Sequence, residues 1–99
     1  MRTLAIISID TAAGNPAIRN GELAKVIGET LERFKPEAAY FGLKDGKRTM
    51  FMVFDMQDAS QMPPLAEPFF MGLDAEISLE PVMNADDLRK GLGGLGTGG

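Results

Sequence analysis

An α+β fold, one antiparallel sheet with helices on a single face, is what this sequence predicts. Three observations carry the expectation. Strand-like and helix-like patterns follow one another as strand, helix, strand, tight hairpin, strand, helix, strand by about residue 82. The two hairpin strands are apolar on both faces, whereas a hairpin with one wet face alternates apolar and polar. The last strand does alternate, as a half-wet strand at a sheet edge should. The sheet therefore calls for a second cover that the chain itself does not supply.

The first strand is expected over Thr3 to Asp10 (TLAIISID), which is β-branched, short and suited to burial on both faces. Asp10, Thr11, Gly14 and Asn15 read as a turn-rich loop. A helix is expected to start at Asn15, with Pro16 as its first residue, or only after Asn20 and Gly21. From Leu23 the period is helical: Leu23, Val26, Ile27, Thr30, Leu31 and Phe34 share one face, and Lys25, Glu29 and Arg33 make i,i+4 charge pairs on the other. Lys35 before Pro36 ends the helix, because a residue preceding proline avoids the α region.

Glu37 to Leu43 and Arg48 to Asp55 form the hairpin strands. Asp45-Gly46 at the tip suits a type I′ turn, which needs positive φ at both central residues. That turn sets the register: Tyr40 opposite Phe51, Ala38 opposite Val53 and Gly42 opposite Thr49 on one face, Phe41 opposite Met50, Ala39 opposite Met52 and Leu43 opposite Arg48 on the other. Asp58 or Ser60 opens a second helical segment, with Gln61 at box-like spacing from Asp58. Pro63 and Pro64 are tolerable only near a helix start, so the segment is broken or begins late; Leu65, Phe69 and Phe70 anchor it, and Gly72 ends it. Asp74 to Val82 is the alternating strand, with Ala75, Ile77 and Leu79 on one face and Glu76, Ser78 and Glu80 on the other. Asn84 and Asp87 cap a short final helix whose Leu88 and Leu92 can pack back on the body. Residues 1–92 are thus expected to make one domain, and 93–99 a flexible glycine-rich tail.

Composition narrows the chemistry. A chain of 99 residues makes one domain that buries roughly 65% of its unfolded surface. With no cysteine and no histidine, the chain has no thiolate nucleophile, no Ser-His-Asp triad and no histidine ligand for haem or metal. No cofactor and no metal site is expected. The net charge of −4, with ten scattered Lys and Arg, speaks against nucleic acid. No apolar run approaches the ~20 residues of a membrane span. The opening apolar run is only about seven residues, better explained as a core strand than as a leader, and a cytoplasmic location is expected.

Four side chains are candidates for ligand binding: Ser8, Tyr40, Arg48 and Glu76. Ser8 shares a face of the first strand with Asp10, and Glu76, Ser78 and Glu80 share one of the last. If those strands are neighbours, the polar groups converge, and a desolvated carboxylate there can move a proton beside a carbonyl. The alternative is an ordinary solvated edge strand. Tyr40, the sole tyrosine, can donate its hydroxyl to a ligand among Phe41 and Phe51, or can pack its ring and send the hydroxyl to the rim. Arg48 can bind an acidic ligand or form an ion pair. The seven methionines fit a binding surface, an irregular core or a dimer seam. Gly91 to Gly96 matches GxGxxG without a preceding strand or a following helix, so it is no dinucleotide loop. Gly98-Gly99 is like the end of ubiquitin-like carriers, whose ββαββ order differs from this one.

The βαββαβ order is ferredoxin-like. With the two-sided apolar hairpin, the segment Leu65 to Leu73 (LAEPFFMGL) and Pro81-Val82-Met83, it resembles the dimeric α+β barrel superfamily, which includes muconolactone isomerase and cofactor-free antibiotic-biosynthesis monooxygenases, and within it the small uncharacterised bacterial members. The resemblance covers residues 3 to about 82 and is one of architecture rather than catalytic motif. It implies a homodimer through the open sheet face, with the helices outside. It assigns no catalytic residue, and family chemistries that use histidine are excluded. Three functional expectations result: a homodimer binding a small apolar ligand between sheet and helices, near Tyr40 and the polar face of the last strand; a cofactor-independent monooxygenase or isomerase acting on a small aromatic or lactone; or a structural or protein-interaction module whose interior is filled by its own Phe and Met side chains.

Overall fold

A computed structural model describes residues 1–96. It runs β1 (Arg2–Ser8), α1 (Thr11–Arg19), α2 (Glu22–Phe34), β2 (Ala38–Lys44), β3 (Lys47–Asp55), a 3-10 turn (Ala59–Gln61), α3 (Met62–Leu73), β4 (Glu76–Pro81) and α4 (Ala85–Gly93). The four strands form one antiparallel sheet in the order β2-β3-β1-β4. The sheet is open, not a closed barrel, and its order is compatible with a ferredoxin-like arrangement.

Alternation along the strands sorts residues into two faces. Thr3, Ala5 and Ile7 of β1 and Met50, Met52 and Phe54 of β3 are buried under the helices. There they meet Ala17 of α1, Leu23 and Val26 of α2, and Leu65, Phe69 and Leu73 of α3 in a single core. Phe34 closes one end edge-on against Phe54, with ring centroids 5.6 Å apart at 72°. Thr30 enters this apolar layer because its hydroxyl donates to the Val26 carbonyl at 2.8 Å. The opposite face carries no helix among the described residues. Its rows run Tyr40–Phe51–Ile6–Ser78 and Ala38–Val53–Leu4–Glu80, apolar toward β2 and polar toward β4.

The hairpin has the expected register, and Asp45 and Gly46 both take positive φ, 53° and 77°. The α2 face from Leu23 to Phe34 packs as its spacing implied. Its outward Lys25, Glu29 and Arg33 are exposed, with no ion pair among them.

Several local expectations are corrected. The stretch after β1 is a helix rather than a loop. Asp10 leaves the strand to cap α1, its carboxylate accepting from the Ala13 N–H at 3.0 Å, and Pro16 lies inside the helix rather than at its start. Its missing N–H forfeits one helical bond, and α1 ends within a turn at Arg19. Asp58 caps the 3-10 turn through Ser60, while the Gln61 carboxamide accepts from the Gln57 N–H at 2.8 Å. Helix α3 tolerates Pro68 in its interior and runs through Gly72 to Leu73, where left-handed Asp74 ends it. Phe70 stays on the outer side, 41% exposed.

Helix α4 has the expected cap, with Asn84 and Asp87 bonding each other's backbone N–H groups. It does not pack back: Leu88 and Leu92 are exposed and the helix buries no residue. Arg2 holds its first turn, donating to Asp87 at 2.9 Å and to Glu37 at 2.6 Å, and the bond to Glu37 raises the guanidinium pKa further. Gly93 closes α4 and a turn follows over 94–96; the rest of the expected tail, 97–99, lies outside the described residues. No helix is long and apolar enough to cross a membrane among the described residues.

Candidate functional site

The site is built where the hairpin stem meets the helices. Arg48 follows the turn by two positions, so alternation sends it to the helix-covered face, opposite Leu43. Its carbonyl accepts from the Ile9 N–H at 2.9 Å, which prolongs the β1–β3 pairing just past β1. A cavity of about 340 Å³ opens beside it. Its floor is Ile9, Thr49 and Met50, its roof Leu23 and Ile27 of α2 with Phe69 of α3, and its outer wall Phe41, Gly42 and Leu43 of β2. Phe41 and Leu43 are 56% and 80% exposed, so the mouth lies at the β2 edge.

Every wall residue but Arg48 and Thr49 is apolar or glycine, and none is a carboxylate. The Thr49 hydroxyl is already engaged, 3.0 Å from the Lys47 carbonyl and 3.2 Å from the Ser8 hydroxyl. Arg48 is half-buried and makes no ion pair among the described residues. Its Nη2 donates to the Asn15 carboxamide at 2.9 Å, while its Nη1 is buried without a partner. Helix α1 seats the guanidinium closely: a Cβ at Gly14 would lie 2.7 Å from Nη1 and 3.0 Å from Ile9 Cγ2. Gly14 and Asn15 look like loop formers in the sequence, and here they cradle the cation.

The sequence candidates divide between the faces. Arg48 alone lies on the cavity. Ser8 and Glu76 are neighbours on the open face, where they line a separate depression with Ile6, Lys44 and Ser78, and Lys47 approaches Glu76 at 3.8 Å. Tyr40 is also on the open face, 70% exposed, in the row Tyr40–Phe51–Ile6–Ser78 and thus roughly 14 Å from Ser78 at ordinary strand spacing. The hairpin register had already put Tyr40 and Arg48 on opposite faces. The signal missing was which face the helices cover, because both are apolar. A shallower, mostly apolar groove lies between α3 and β4, walled by Met62, Ala66, Phe70, Ile77 and Leu79 with the Glu67 carboxylate at its side.

Fold and site together define a class: a small antiparallel α+β domain with one bare sheet face and an apolar cavity that Arg48 helps to line. No family model matches the chain, and no curated protein is significantly similar to it.

Proposed function

We propose that this protein is a small-ligand-binding protein that works as a homodimer, ferredoxin-like in topology and paired through the open face of its sheet as in dimeric α+β barrels. The observation that carries the reading is the cavity at the hairpin stem. At about 340 Å³ it lies at the small end of the roughly 300–1,000 Å³ typical of ligand sites, it is walled by apolar side chains, and it opens at one edge. The chain's own Phe and Met residues leave it unfilled, which favours binding over a purely structural role. With no carboxylate among the described residues of its walls and no histidine in the chain, proton abstraction there lacks a base, which favours binding over an isomerase or oxygenase. Pairing is supported by the bare face itself, where Leu4, Ile6, Phe51, Val53 and Tyr40 form an apolar patch with no helix above it among the described residues.

Native mass spectrometry of gently purified protein tests both halves. The expected species is twice the 10.6 kDa chain mass, carrying a reproducible small-molecule adduct. Ile6→Asp, at the centre of the bare face, should give monomers. A monomer of unaltered protein at micromolar concentration would overturn the pairing, and a cavity that takes up no small apolar probe in solution would overturn the ligand.

A further inference from the structure

We infer that the ligand of the hairpin-stem cavity is a carboxylate: a small apolar body whose anionic end pairs with Arg48. The inference rests on the reading of the cavity as a ligand site and adds the chemistry of its occupant.

A buried guanidinium N–H without an acceptor is costly, and more so on a charged group. Arg48 has such an N–H; among the described residues no carboxylate pairs with it, and Asn15, the hydrogen-bond partner of its guanidinium, is neutral. The surroundings favour this arrangement instead of relieving it. Gly14 leaves the space that a side chain would take from Nη1, Asn15 fixes the fork through Nη2, and the remaining walls are apolar. Arg48 lines this low-dielectric cavity without a counter-ion among the described residues, and since Nη1 is closed off against Gly14 an anion in the cavity would pair with it once the guanidinium turns from α1 toward the occupant. A neutral partner would satisfy the N–H and leave the charge; an anion does both. Carboxylate is favoured over phosphate because Arg48 is the one cationic residue lining the cavity among the described residues, and a guanidinium fork matches two planar oxygens.

The test is a methyl NMR titration of the full chain with 4-phenylbutanoate and its neutral isostere 4-phenylbutanamide. Shifts are read at Ile9, Leu23, Ile27 and Met50 in the cavity, and at Leu4, Ile6 and Val53 on the open face. The carboxylate is expected to bind at least about tenfold more tightly, equivalent to about 1.4 kcal/mol, and to shift the cavity methyl groups. In Arg48→Met the affinity ratio should fall to about one. Gly14→Ala, whose new methyl group would displace the guanidinium, should also collapse the ratio and covers the case in which Arg48→Met does not fold. Equal affinities in the unaltered protein, or a preference that persists in both variants, would overturn the carboxylate and leave the cavity reading intact. Shifts confined to the open face with both compounds would overturn the cavity as a ligand site and the carboxylate with it.

Discussion

Arg48 and Asn15 share one hydrogen bond, yet their substitutions should differ in cost. Asn15→Ala would leave a second guanidinium N–H without its acceptor, a loss of about 1–3 kcal/mol. Arg48→Met keeps the aliphatic stem and removes the unpaired donor, so urea unfolding should place it within about 1 kcal/mol of the unaltered protein. The double variant should then match Arg48→Met alone, because the group that Asn15 satisfies is gone. Asp58 makes a second residue-scale case. Its carboxylate accepts from the Ser60 hydroxyl and backbone N–H, and these bonds hold its pKa below the ordinary 3.8. A depressed folded-state value means the charged cap stabilises the fold above the unfolded value and stops doing so as pH falls through the folded one. The advantage of the unaltered protein over Asp58→Ala should be full above about pH 4 and shrink in stronger acid, as read from thermal melts across that range.

Elements differ sharply in what holds them. β1, β3 and α3 share the core, and Phe54→Ala there should cost about 3–5 kcal/mol in urea unfolding. Helix α4 buries nothing and is tied through Arg2 and its own capping box, so Leu88→Ala should stay within about 0.5 kcal/mol. Its amides should exchange with solvent far faster than those of β3. This contrast explains what the sequence could and could not reveal. The hairpin was legible to the residue because Asp45-Gly46 fixes the turn and the turn fixes every pair. Helix α1 was not, since Gly14, Asn15 and Pro16 each favour a loop on their own, and the contacts of Gly14 and Asn15 with Arg48, distant in sequence, show only in the fold. The amphipathic pattern of α4 revealed a helix and its cap, but periodicity says nothing of what an apolar stripe packs against. In the site, Arg48 was legible as a cation near the turn; its cavity was not, because an apolar strand face reads the same under helices as it does bare.

For the whole molecule, an uncovered apolar face and a projecting helix leave the single chain far from its most compact shape. Its radius of gyration is 16.1 Å, against about 13 Å for a compact chain of this length, and its extents are 57 × 27 × 17 Å. If the bare faces pair, stability depends on concentration, and the urea midpoint should rise measurably between micromolar and submillimolar protein; an invariant midpoint would argue for monomers. Strand β2 adds a further consequence. The same seven-residue ribbon walls the cavity with Phe41 and Leu43 on one side and presents Ala38 and Tyr40 to the bare face on the other. Being an edge strand, it is held by β3 alone. A molecule lodged against its inner side and a second chain against its outer side would press on one backbone. By thermodynamic linkage, whatever factor the occupant imposes on association, association imposes on the occupant.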